Sequence, residues 1–103
     1  MRFLLKAEFP VEAGNAAIKD GSLPKTIQSI LEELKPEAAY FIASNGKRTA
    51  LLFLDMQDQS QIPALAEPWF LAFNASVELT PVMTLEDLKK AGPAIERAVQ
   101  KYS

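Results

Sequence analysis

Residues 2–9 alternate in polarity along the chain. Phe3, Leu5, Ala7 and Phe9 fall on one face, and Arg2, Leu4, Lys6 and Glu8 on the other, as in a half-buried strand. Pro10 ends the run, since it cannot donate to a ladder. The period then changes. Residues 12–34 read as helical in two pieces, interrupted by Gly21-Ser22-Leu23-Pro24. Leu23, Ile27, Ile30, Leu31 and Leu34 form an apolar stripe on the second piece, and Lys35-Pro36 stops it. A second strand is predicted at 38–43 and a third at 48–55. Asn45-Gly46 lies between them, the strongest short-range hairpin signal, so the two should pair antiparallel. Residues 59–67 read as a short helix, with Ser60 as its N-cap and Pro63 in its first turn. Pro68 is expected to break or kink it, with helicity resuming through Phe73. A fourth strand is predicted at 75–82, with Val77 and Leu79 on one face and Ser76, Glu78 and Thr80 on the other. Thr84-Leu85-Glu86-Asp87 opens a final helix as a capping box with Asp in the usual Glu position. Leu85, Leu88, Ala91, Ile95, Ala98 and Val99 form its stripe, and Gly92-Pro93 should kink or divide it.

The order β-α-β-β-α-β plus a C-terminal helix is that of an α+β, ferredoxin-like domain over residues 1–103. Four antiparallel strands would carry helices on one face. The two central strands carry a further signal. Strand two is apolar on both faces, with Ala39, Phe41 and Ala43 opposite Ala38, Tyr40 and Ile42. Strand three sets Ala50, Leu52 and Leu54 against Leu51 and Phe53. A sheet with one wet face alternates more cleanly, so the second face should also be covered. A partner sheet is the simplest cover, and two-fold dimers are the commonest assembly. In length, strand order, two-sided sheet, Ala-Glu-Pro-Trp-Phe at 66–70 and Val-Glu-Leu-Thr-Pro-Val-Met-Thr at 77–84, the chain resembles the dimeric α+β barrel superfamily. That group includes muconolactone isomerase-like proteins, small cofactor-free monooxygenases and stress-responsive barrel proteins. The resemblance implies the fold and a homodimer through the sheet face. Many members use a histidine, which this chain lacks, so it assigns no catalytic residue.

Composition narrows the chemistry. With no histidine and no cysteine, Ser-His-Asp and Cys-His catalysis, thiolate zinc sites, haem held by His or Cys and iron–sulfur clusters are excluded. No metal or organic cofactor is expected. A hydrophobic fraction of 49% and a charged fraction of 23% fit an ordinary globular domain. A net charge of −2 with scattered cations argues against nucleic acid as a partner. The apolar run in Met1–Lys6 is too short for a signal peptide, and no stretch is long enough to cross a bilayer. The expected setting is therefore cytoplasmic, without membrane contact.

Two clusters are candidate sites. Glu67-Pro68-Trp69-Phe70 with Phe73-Asn74 would line a ligand pocket, with Trp69 and Phe70 against an apolar molecule, Glu67 as base and Asn74 as hydrogen-bond donor. The competing reading makes the aromatics core anchors and Asn74 a helix C-cap. Lys6 and Glu8 share the polar face of strand one, and Tyr40, Asp55 and Glu78 join them if the strand phases match. Inside a dimer barrel they would be ionisable groups in a confined space, where acid–base chemistry arises. On a solvated face, Lys6 and Glu8 are simply an ion pair. Asn45-Gly46-Lys47-Arg48 and Gly14-Asn15 are weaker anion-binding patterns, better read as a hairpin tip and a helix segment. The sequence thus points to a small dimeric protein binding an apolar or aromatic molecule or a protein partner. The alternative is a cofactor-independent isomerase or monooxygenase acting on an aromatic or polyketide-like substrate through Glu8, Tyr40 or Glu67.

Overall fold

A computed structural model describes all residues, 1–103. The strands form within a residue or so of where the pattern predicts them: β1 (Arg2–Glu8), β2 (Ala38–Ser44), β3 (Lys47–Asp55) and β4 (Ser76–Pro81). The helices are α1 (Val11–Lys19), α2 (Ser22–Leu34), α3 (Ile62–Phe73), α4 (Leu85–Lys90) and α5 (Gly92–Tyr102), with a 3-10 turn at Gln59–Gln61. The sheet is fully antiparallel in the order β2-β3-β1-β4, so β2 and β4 are its free edges. This α+β arrangement is compatible with the ferredoxin-like expectation.

Local chemistry explains the boundaries. Asn45 (φ 55°) and Gly46 (φ 73°) both take the left-handed conformation that a tight hairpin turn requires. Lys35 and Asn74 end α2 and α3 in the same conformation, and Gly21 opens α2 in it. Asp58, not Ser60, is the cap before α3. Its carboxylate accepts from Ser60 N–H and Oγ, while Gln61 Oε1 accepts from Gln57 and Asp58 N–H. Pro68 removes one intrahelical donor, yet α3 runs unbroken to Phe73, because its inner face is tightly held.

That inner face builds the core. Leu65, Ala66, Trp69 and Phe73 of α3 are buried against Phe3, Leu5 and Ala7 of β1, Ala50, Leu52 and Leu54 of β3, and Ile30 of α2. Phe9 stacks on Phe73 with centroids 4.6 Å apart and on Trp69 at 6.0 Å. Gly14 of α1 lies under the Arg48 side chain, whose mobile end, Nη1, is within 2.8 Å of where a Cβ would stand. That same Nη1 donates to Asn15 Oδ1 at 3.0 Å. The two weak anion motifs of the sequence therefore meet, and each occupies the other.

The C-terminal helices depart from this body. The molecule extends 59 × 28 × 20 Å with a radius of gyration of 17.3 Å. A compact chain of this length has about 13 Å. Neither α4 nor α5 contains a buried residue.

Candidate functional site

The strand register decides which predicted site residues share a surface. All three helices of the core lie on the Phe3–Leu5–Ala7 face, leaving the opposite face of the sheet open in the single chain. Across that open face Tyr40, Leu51, Lys6 and Glu78 stand side by side on β2, β3, β1 and β4. The neighbouring row is Ala38, Phe53, Leu4 and Thr80. The row on the other side is Ile42, Thr49, Glu8 and Ser76. Tyr40 is 58% exposed and Ile42 42% exposed, because β2, read from the sequence as a central strand, is an edge of the sheet. The face therefore combines an apolar half on β2–β3 with an ionisable half on β1–β4.

Its charges are only partly matched. Lys6 Nζ lies 3.5 Å from Glu8 Oε2, and both side chains are largely shielded. The same Glu8 oxygen accepts from Asn45 Nδ2 at 3.3 Å, which ties the hairpin tip to β1. Glu78, directly beside Lys6 in the register, makes no ion pair. Asp55, the fifth group expected here, sits at the end of the sheet and takes the N-terminal ammonium at 3.0 Å. Nearby, Arg2 Nε donates to Glu37 Oε2 at 2.8 Å, and that bond, followed by the Glu37 charge, raises the guanidinium above its ordinary pKa.

The structure separates the predicted cluster of Glu67, Trp69, Phe70 and Asn74. Trp69 is fully buried in the core, and its indole N–H has no hydrogen-bond partner. Asn74 is the left-handed C-cap of α3, donating its backbone N–H to Phe70 C=O. Phe70 and Glu67 point outward from the exposed side of α3. None of these four lines a cavity, and Glu67 is divided from Glu8 and Tyr40 by the whole sheet. The space between sheet and helices is filled by Phe9, Trp69 and Phe73, so the expected pocket there has no volume around these residues.

Two grooves lie at the margins. One of about 580 Å³ runs between α2 and the β2 edge, lined by Leu23, Ile27, Gln28, Leu31, Glu32 and Phe41. The other, of about 400 Å³, lies where Phe3, Met56 and Leu79 meet Ile62 at the start of α3. Sequence reasoning missed both, although Phe41 on an edge strand and the α2 stripe carried the signal for the first. No group of three or more carboxylates is arranged to hold a metal ion, and no helix is long and apolar enough to cross a membrane. No family model, no curated protein and no solved structure matches this chain.

Proposed function

We propose that this protein acts as a homodimer whose open sheet faces meet and enclose a binding site for a small apolar or aromatic molecule. The observation that carries the reading is the row Tyr40–Leu51–Lys6–Glu78 on a face with no covering layer. Leaving Tyr40, Ile42, Leu51 and Phe53 against water forfeits the stabilisation of burial, about 25 cal/mol per Å² of apolar surface. A second sheet, packed face to face at about 10 Å, recovers it. The apolar half of the face would contact the ligand body. Lys6, Glu8 and Glu78 would orient a polar substituent. The resemblance to the dimeric α+β barrel superfamily leads to the same closed form.

A second reading, a cofactor-independent isomerase or monooxygenase, draws on the same row. Tyr40 and Glu8 flank one enclosed space in the dimer, while Glu67 falls outside it. Native mass spectrometry of protein purified gently from its own cells tests the proposal. The expected result is a dimer carrying a reproducible small-molecule mass. A monomer at micromolar concentration would overturn the assembly, and an empty dimer would overturn the retained ligand.

A further inference from the structure

We infer that the C-terminal arm, α4–α5, docks into the α2–β2 groove of a second copy of this chain, so that each protomer clasps the other. The inference rests on the homodimer proposed above and goes beyond it to a second, separate contact. Two incompletely covered apolar surfaces exist on the same chain, an exposed stripe on the arm and a half-buried row on the body. On the arm, Leu88, Ile95, Val99 and Tyr102 follow helical spacing and are all about half exposed or more. On the body, Leu23, Ile27, Leu31 and Phe41 line an open groove, and Phe41 is 52% exposed on the helix side of an edge strand.

The dimensions agree. Leu23 to Leu31 covers about 12 Å of helix axis, and Ile95 to Tyr102 about 10 Å, at 1.5 Å per residue. Two helices with apolar rows of that length pack as ridges into grooves.

Topology rules out the arm's own groove as the natural seat. The arm leaves β4, and β4 and β2 are opposite edges of the sheet. It projects away from the body, giving the 59 Å long axis. A two-fold partner changes this. When the sheets face each other about a two-fold axis parallel to the strands, the arrangement we infer, the free edge β4 of one copy comes alongside the free edge β2 of the other. Whatever follows β4 then runs past the partner's β2 edge, where the groove opens. The closure is reciprocal, as a two-fold contact requires.

Charge supports the pairing. The arm carries four cations (Lys89, Lys90, Arg97 and Lys101) and three carboxylates (Glu86, Asp87 and Glu96), a balance of +1, which leaves −3 for residues 1–83. Glu32 lines the groove itself, and Glu33 follows it on α2. Lys101 sits beside the stripe with its ammonium 5.4 Å from the Tyr102 ring centre.

The absence of cysteine makes a clean test. Full-length chains carrying Val99→Cys and Gln28→Cys, both at exposed positions, are mixed, oxidised and weighed, and their native masses are recorded in parallel. A Val99→Cys chain with a Ser60→Cys chain serves as the control pair. The expected result is a dimer in which the Val99→Cys/Gln28→Cys disulfide exceeds the control at least tenfold. An intact dimer with cross-linking no greater than the control would overturn the arm placement and leave the sheet contact standing. A monomer would overturn both.

Discussion

Trp69 shows what a single side chain does here. It is buried completely between Phe9 and Phe73, and its N–H finds no acceptor. Its role is to fill volume. Truncation by Trp69→Ala should cost about 3–5 kcal/mol, because the apolar transfer is lost and a cavity remains. Trp69→Phe should cost clearly less, since it keeps an aromatic ring and removes an unpaired buried donor. Denaturant unfolding of the two variants checks the difference, and equal losses would overturn the volume-filling role. The sequence left two readings of Trp69 open, pocket or core. An aromatic run on a helix looks the same in either case, and only the facing residues separate them. Asn74 was ambiguous for the same reason, since an Asn that caps and an Asn that binds occupy similar places in a pattern. Lys6 and Glu8 were legible as neighbours two apart on one strand. That Asn45 would share the Glu8 oxygen depended on the hairpin folding back, which no local spacing reveals.

Elements followed their local rules closely where the rule was short-range. Period-two alternation located β1 and β4, apolar runs flanking Asn45-Gly46 located β2 and β3, and Thr84-x-x-Asp87 formed the reciprocal capping box. The departures came from tertiary override. Pro68 was expected to disrupt α3, but four buried residues on its inner face hold the helix through it. The arm has no such support, so α4 depends on its cap. Asp87 accepts from the Thr84 N–H, and Thr84 Oγ1 accepts in return, and these bonds hold the Asp87 carboxyl below its ordinary pKa. A carboxyl depressed in the folded state contributes stability that is fully present above its unfolded value, near 3.9, and is lost as pH falls through the folded one. Asp20, depressed by its bonds from Ser22, behaves with the same sign at the start of α2. Lowering the pH below about 4 should therefore progressively loosen the first turn of α4, with no change between pH 6 and 5. Amide chemical shifts of Leu88 and Ala91 report it. The Asp87→Asn variant should lose this pH response, and a parent whose shifts stay constant across the range would refute the cap's role.

At the scale of the whole molecule, the apolar surface is unevenly covered. A one-sided helical layer covers one face of the sheet, while the other face and the arm's stripe stay open. The one-sided helical layer was legible in the β-α-β-β-α-β order of the elements. The arm's open stripe was not, because an amphipathic C-terminal helix reads as a core helix until its contacts are known. Phe53 offers the sharpest test of the open face. It lies half-buried between Ala38 and Leu4 on the uncovered side, away from the core formed by Leu52 and Leu54. Placing a carboxylate there leaves the helix-side packing untouched, so Phe53→Asp should fold. In a dimer, however, it buries an unpaired charge in each protomer, and the desolvation of two such charges far exceeds the worth of one lost aromatic contact. The variant should therefore be monomeric at concentrations where the parent is a dimer, with its secondary structure retained. Sedimentation and circular dichroism together read both properties. A folded variant that still dimerises would move the contact off this face, and the row of Tyr40, Leu51, Lys6 and Glu78 would then face water in the assembly as well.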